Sequence, residues 1–248
     1  MNPFYHKFVS AFFGIGFVAM LHFLTVSGPV FRYLLGGLAL YLTILTLYNW
    51  RYLLSQQAYT LWLLLRVPLF VFVWFGLLLI VPFGPVRTFL LLVGLILIFV
   101  FETLIANKGQ QLGWNIFLIS LAGLFLGLYG FHFYFPLSGL LYLGLIFLGT
   151  TMLVRVSVEA VPHSNQVKWF AALVLGLFAA QLFWITQFLP LHFSVLAIIS
   201  FNVLYLLWTI YYHYLYQSLS RRQIQFHLLL VLILSGLILI STPWTIQG

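Results

Sequence analysis

The sequence predicts an all-α membrane protein, a polytopic bundle of about nine transmembrane helices with no soluble domain. Hydrophobic residues account for 64% of the 248 residues and charged residues for 5%, whereas a soluble domain carries roughly a quarter charged residues. The apolar residues form continuous runs of about 20 residues, the length that a spanning helix needs. Because these runs do not alternate between apolar and polar positions, they argue against the strands of a membrane barrel.

Turn residues divide the chain into these runs. Ser27-Gly28-Pro29 follows the first run and Pro82-Phe83-Gly84-Pro85 the third. The first run follows Lys7 as in a signal peptide, but it lacks an A-x-A-like cleavage site and a second run begins almost at once, so we interpret it as a retained span. We expect one membrane domain over residues 1–248, with eight spans as the alternative count. The predicted spans are residues 8–27, 31–50, 60–81, 86–106, 112–133, 137–155, 167–188, 191–216 and 225–243.

The basic residues predict an orientation, because cytoplasmic loops of membrane proteins are enriched in Lys and Arg. With nine spans, only Arg32 and Arg87 fall on the side opposite the N-terminus. We therefore expect a cytoplasmic N-terminus and a C-terminus outside. Arg66 lies inside the third span and is expected to extend its long side chain to the cytoplasmic interface. The residues on or near the N-terminal side are Lys7, Arg51, Arg66, Lys108, Arg155, Lys168, Arg221 and Arg222.

The composition excludes several kinds of chemistry. The chain has no Cys and no Asp, and its two acids are Glu102 and Glu159. There is therefore no disulfide, thiolate nucleophile or Cys metal site, and intramembrane enzymes that rely on aspartates are poorly supported. No H-E-x-x-H, P-loop or G-x-S-x-G motif is present. The basic residues are too dispersed for a nucleic-acid surface, and no cofactor is predicted.

Glu102 lies near the inner end of the fourth predicted span. An acid within a membrane segment is a candidate proton or cation site. The alternative is an interfacial glutamate that reaches headgroup water or pairs with a nearby base. Its position at a helix end favours the interfacial interpretation.

Arg155 and Glu159 are four residues apart at the end of the sixth span, so they share a helix face. With His163, Asn165 and Lys168 they form the most polar stretch of the chain. This stretch is either a cytoplasmic site for a headgroup, phosphate or partner, or a solvated loop with a local ion pair. We favour the solvated loop.

The eighth span carries a polar and aromatic stripe with helical spacing. Its members are Asn202, Tyr205, Thr209, Tyr212 with His213, and Tyr216. The stripe either lines a pocket for a small molecule or makes hydrogen bonds between helices, and we favour the hydrogen bonds. Gln181 and Gln187 precede this span and are possible partners of the stripe.

Three histidines, His22, His132 and His192, are expected at one level near the outer interface. Imidazoles at one level are weak candidates for a metal or haem site. They come from three separate helices, so the interfacial interpretation is preferred and no metal is predicted.

The last third of the chain carries a recognisable pattern. It consists of Phe183-Trp184, Phe188-Leu189-Pro190, a tyrosine-rich helix, Leu219-Ser220-Arg221-Arg222 and Pro243-Trp244. Over about residues 180–245 this pattern resembles a family of polytopic membrane proteins of candidate-phylum bacteria. The family has no assigned activity, so the resemblance implies no functional residue. It implies a bacterial inner (cytoplasmic) membrane as the setting.

Three functions are compatible with these observations. Short loops, few buried polar groups and missing catalytic acids favour a non-enzymatic scaffold, assembly factor or accessory subunit of a membrane complex. The alternative is a transporter or binder of a small molecule or ion, with a pocket along the eighth span and help from Glu102 or Gln181. The third is a lipid-modifying membrane enzyme that uses Arg155, Glu159 and His163. Membrane lipids and protein subunits within the membrane are the expected partners.

Overall fold

The computed structural model describes residues 3–26, 31–55, 60–82, 84–103, 110–135, 138–161, 163–215 and 220–242. In these ranges the chain forms nine α-helices and one short 3-10 turn, Val158–Ala160, with no strand. The all-α prediction is therefore confirmed. The helices are α1 (Pro3–Val26), α2 (Phe31–Ser55), α3 (Leu61–Ile80), α4 (Pro85–Thr103), α5 (Gln110–Tyr134), α6 (Gly139–Ser157), α7 (Asn165–Thr186), α8 (Phe193–Leu215) and α9 (Arg221–Ser241).

Seven of the described helices, α3 to α9, are long and apolar enough to cross a membrane. The chain is therefore a multi-pass membrane protein. Helices α1 and α2 have 24 and 25 residues, which is sufficient length for a span. The count of nine spans and the orientation of the termini stay predictions.

Polar caps set where several helices begin. Helix α9 begins four residues before the predicted span, because Ser220 and Gln223 form a capping box at its N-terminus. The Ser164 side chain accepts a hydrogen bond from the backbone of Val167 at the start of α7, and Thr60 caps α3 in the same way. A count of apolar residues misses these polar turns, which belong to the helix but not to the apolar run.

Residues 1–112 form one compact unit, with α3 as its most buried helix. Helix α3 runs unbroken through Pro68, so this proline does not create the kind of broken helix that many transporters have. Arg66 is buried within the unit instead of extending to the interface as expected. Between α3 and α4, Trp74 donates a hydrogen bond to the carbonyl oxygen of Leu90 (3.2 Å). A Cβ atom at Gly94 would lie 2.8 Å from Cδ1 of Trp74, so this glycine makes room for the indole.

Residues 113–248 form a second compact unit, in which α6 and α7 approach most closely. A Cβ atom at Gly176 of α7 would lie 2.9 Å from the carbonyl oxygen of Phe147 and would overlap the Thr151 hydroxyl. Small residues allow such close approach of membrane helices. Helix α8 packs on α7 and α9. In α9 Val231 is the buried residue, and the rest of that helix is half-buried or exposed.

Candidate functional site

Glu102 is buried near the end of α4, where its carboxyl group has a single hydrogen-bond donor among the described residues. The side chain is 0% exposed. Its Oε1 accepts a hydrogen bond from Nδ2 of Asn49 at 2.8 Å, and its Oε2 has no hydrogen-bond partner in the part of the chain that the structure describes. This burial differs from the expectation of a glutamate that reaches headgroup water. The other expected form, pairing with a nearby base, concerns Lys108, which lies outside the described residues. The burial follows from the packing of α4 against α1, which covers this turn of the helix.

His6 of α1 is bonded to the backbone of the same residue. Its Nε2 lies 2.8 Å from the carbonyl oxygen of Glu102. A carbonyl only accepts, so Nε2 carries the hydrogen, and in a neutral imidazole Nδ1 then accepts from the Tyr48 hydroxyl at 2.9 Å. The imidazole also stacks on the Tyr52 ring, with the ring centroids 3.5 Å apart. The position and the tautomer of this histidine are therefore set by α2 and α4.

Four residues from three helices thus form one buried polar group, which we name the Glu102 cluster: His6, Tyr48, Asn49 and Glu102. Oδ1 of Asn49, like Oε2 of Glu102, has no donor among the described residues. The Asn49 amide and the Glu102 carboxyl group are joined through Nδ2 and Oε1, so each of them keeps its other oxygen without a donor among the described residues. A carboxylate taken out of water with one neutral donor is costly, unless a proton or a cation compensates its charge.

The second acid, Glu159, has the opposite environment. Nη1 of Arg155 donates to its Oε2 at 2.9 Å, as the four-residue spacing predicted. Nη2 of Arg155 donates to Oδ1 of Asn165 at 2.5 Å, and Nζ of Lys168 donates to the backbone carbonyl of Glu159 at 2.9 Å. The guanidinium also lies over the Trp169 ring, 5.7 Å from its centroid. The local ion pair of the favoured interpretation is therefore present, and His163 and Asn165 of the connection are exposed. Arg155 itself is 2% exposed, so the pair is more buried than a solvated loop implies.

The residues of the enzyme hypothesis are not joined into one catalytic group. Arg155 and Glu159 bond to each other. Nε2 of His163 instead donates to the carbonyl oxygen of Leu215 at the end of α8 (2.9 Å). The hydrogen bonds recorded for the described residues do not link His163 to the ion pair.

The polar stripe of α8 is used largely for contact with α9. Nδ2 of Asn202 donates to the Ser235 hydroxyl at 3.1 Å. The Tyr205 hydroxyl is hydrogen-bonded to Nδ1 of His227 at 2.7 Å, and Thr209 donates to the carbonyl oxygen of Tyr205 within α8. These contacts agree with the favoured interpretation of hydrogen bonds between helices.

The C-terminal end of the stripe packs on α5. The Trp114 ring lies 4.7 Å from the ring of Tyr212 and 6.0 Å from that of His213, measured between centroids. Gln181 is exposed on α7, and no hydrogen bond to the stripe is recorded for it among the described residues. Tyr216 lies outside the described residues.

Two of the three histidines considered for a metal, His132 and His192, have described side chains, and each has its own surroundings. His132 packs against the rings of Tyr142 and Phe183, whereas His192 packs against Phe133 and bonds to Ser194. The side chain of His22 lies outside the described part. In that part no three His or Glu residues are placed to hold a metal ion.

Two buried polar groups were missed by reasoning from the sequence. One is the pair His6 and Asn49 in the Glu102 cluster. The other is a set of hydroxyls in which Tyr129 of α5 bonds to Thr186 of α7 and, at 2.6 Å, to Ser200 of α8. These polar residues do not recur at helical spacing along any one predicted span, so no periodic pattern marked them. The available signal was their scarcity, because a polar residue within a span is costly unless it is satisfied.

Comparisons with protein-family models, with curated proteins and with solved structures find no match to this chain. The interpretation of the site therefore rests on its own geometry.

Proposed function

We propose that this multi-pass membrane protein binds and releases a proton at Glu102, and that the site serves the transport of a small molecule or ion. The observation that carries the proposal is the environment of the Glu102 carboxyl group. It is fully buried, one oxygen is held by the amide of Asn49, and the other oxygen has no donor among the described residues. Ionisable groups within membrane segments typically mark ion pathways and proton relays.

A proton suits the Glu102 cluster better than a metal ion does. Hard cations such as Ca²⁺ take about six to eight oxygen ligands. The cluster offers two oxygens without donors among the described residues, Oε2 of Glu102 and Oδ1 of Asn49. A proton on the carboxyl group needs only one of them, and it removes the charge whose burial is costly.

The position of the cluster supports exchange of this proton with one face of the membrane. His6 lies three residues from the start of α1, and Glu102 lies one residue from the end of α4. At about 1.5 Å of rise per residue, both positions are within about one helical turn of the helix ends. A proton therefore has only a short distance to travel between that face of the membrane and the Glu102 carboxyl group. With the predicted orientation this face is cytoplasmic.

Infrared difference spectroscopy tests proton binding directly, because Glu102 and Glu159 are the only acidic side chains in the chain. Acidification of the protein in neutral-lipid vesicles should produce the C=O stretch of a buried carboxylic acid. The band should persist in Glu159→Gln, the matched control, and disappear in Glu102→Gln. A band that survives Glu102→Gln would reject the proposal.

Proton flux tests the transport part. In proteoliposomes with an imposed membrane potential, an enclosed pH dye should report proton uptake by the wild type and by Glu159→Gln, but not by Glu102→Gln. Asn202→Ala should retain uptake, since its amide is engaged with Ser235 of α9. Loss of flux in Asn202→Ala without unfolding would favour the pocket along α8 instead. An infrared band without any flux would leave proton binding intact and reject transport.

A scaffold or accessory subunit of a complex in a bacterial inner membrane is the second candidate, and helix α9 is the observation that favours it. Most of its side chains are exposed, and Val231 is the residue that it buries. Its outer face is therefore available to lipid or to another protein. A photo-crosslinking residue at Leu232, which is exposed, should give a discrete protein adduct in cells, whereas one at Val231 should not. Adducts with lipid alone at Leu232 would reject a protein partner on this face.

A further inference from the structure

The basic residues of the chain far outnumber its acidic residues, and each of the two acidic side chains already has its own contacts within the protein. The sequence contains ten Lys and Arg residues against two Glu residues. Glu102 is buried in its own cluster, and Glu159 is paired with Arg155. No acidic side chain is left in the chain to neutralise the other basic residues. Their counter-ions must come from outside the protein.

Four of these cations lie at one end of the second unit, which we name the basic end: Arg155, Lys168, Arg221 and Arg222. The His163–Leu215 hydrogen bond ties the α6–α7 connection to the end of α8, and α9 begins six residues after Leu215. Helices α8 and α9 run antiparallel, as their Tyr205–His227 and Asn202–Ser235 bonds show. Glu159 is the single acid at this end, so a net positive charge remains there.

An exposed apolar stripe runs down α9 from this basic end. Phe226, Leu229 and Ile233 follow Arg222 at helical spacing, so the four residues share one face. Their exposed fractions are 62% for Phe226, 58% for Leu229 and 50% for Ile233. Arg222 lies at the N-terminal end of this face, Arg221 lies beside it on the first turn of α9, and both are exposed. A cationic head above an apolar strip is complementary to an anionic amphiphile.

We infer that the basic end, with the apolar stripe of α9, binds an anionic glycerophospholipid. The lipid phosphate would contact the guanidinium groups of Arg221 and Arg222, which suit phosphate because each offers a fork of donors. One acyl chain would lie along Phe226, Leu229 and Ile233. A nucleic acid or a soluble polyanion fits the charge but has no counterpart to the apolar stripe. The inference is independent of the proton site.

Native mass spectrometry of the detergent-purified protein tests this site, with phosphatidylglycerol and phosphatidylcholine as the probes. Phosphatidylglycerol should bind more tightly than phosphatidylcholine. An arginine near an anionic headgroup typically contributes enough for about a fivefold change in affinity. Arg221→Gln with Arg222→Gln should therefore weaken phosphatidylglycerol binding about 30-fold. Phosphatidylcholine should lose much less, because the choline cation balances the charge of its phosphate. Phe226→Ala should weaken it by a smaller factor, about threefold.

The matched control removes two exposed cations elsewhere, with Lys7→Gln and Arg51→Gln. It should change phosphatidylglycerol binding less than about twofold. An equal loss in both double variants would mean diffuse attraction by net charge, and the site would be rejected. Competition by glycerol phosphate as effective as by phosphatidylglycerol would show recognition of the anion alone and would overturn the assignment to a lipid. All these side chains are exposed, and a circular dichroism spectrum verifies that each variant is folded.

Discussion

Glu102 in the first unit and Glu159 in the second are both glutamates, but their electrostatic environments are opposite. Glu159 is 16% exposed in its side chain and bonds to the Arg155 guanidinium, which is itself held by Asn165 and Trp169. Glu102 is 0% exposed, and its carboxyl group is bonded to the neutral amide of Asn49. Glu159 is compensated by the fixed charge of Arg155, whereas Glu102 has no cationic partner among the described residues, and in our proposal a proton compensates its charge.

This difference separates a structural acid from an exchangeable one. An ion pair with well-formed hydrogen bonds resists change, because removal of either partner leaves an uncompensated charge. A buried acid without a cationic partner responds instead to its surroundings, since the compensating proton is free to leave. Substitutions at the two sites should therefore differ in size and in kind.

The largest effect is expected for Arg155→Ala. This substitution removes the partner of Glu159, the bond to Asn165 and the contact with Trp169, so the free energy of unfolding should fall by about 3 kcal/mol. Reversible unfolding in mixed detergent micelles measures it. Arg51→Ala, which removes an exposed arginine, is the control and should change stability by less than about 0.5 kcal/mol. A similar small change in Arg155→Ala would show that the pair contributes little.

A smaller loss is expected for Glu159→Gln. The amide keeps the shape and an acceptor for Arg155 but not the negative charge, so a charge-assisted bond becomes a neutral one, at a loss of about 2 kcal/mol. The same unfolding assay applies. Unchanged stability would mean that the guanidinium of Arg155 is compensated by other groups.

The smallest effect on stability is expected for Glu102→Gln. The glutamine retains the oxygen that accepts from Asn49 and carries no charge, so the free energy of unfolding should change by less than about 1 kcal/mol. Proton binding should nevertheless be lost. A destabilisation as large as that of Glu159→Gln would indicate that Glu102 is a stably paired anion, contrary to the proposal.

Hydropathy and turn residues predicted much of the fold. The nine predicted spans correspond to α1 through α9, and their ends differ by a few residues where polar caps such as Ser220 extend the helix. The i, i+4 pair of Arg155 and Glu159 was also predictable, because helical spacing alone places the two residues together. The burial of Glu102 and Arg66 was not predictable, since it depends on which neighbouring helix covers that turn.

The contacts within the candidate site were even harder to predict from the sequence than the burial of these residues. The charge of Glu102 identified it as a candidate. The residues that contact it and set its electrostatic environment could not be identified from the sequence. Asn49 is 53 residues away in sequence and His6 is 96 residues away. Conversely, the α8 stripe was visible as a periodic pattern, and the structure uses it to hold α9.

By itself, the sequence determined that this chain is a multi-pass helical membrane protein with a large excess of basic residues. Hydropathy is a sum over neighbours in the chain, and a helix satisfies its own backbone hydrogen bonds, so local composition suffices for that conclusion. Only the tertiary structure decided which acid is paired and which is buried without a cationic partner in the part of the chain that the structure describes. Electrostatic compensation depends on groups brought together across helices, and their distances are set by packing.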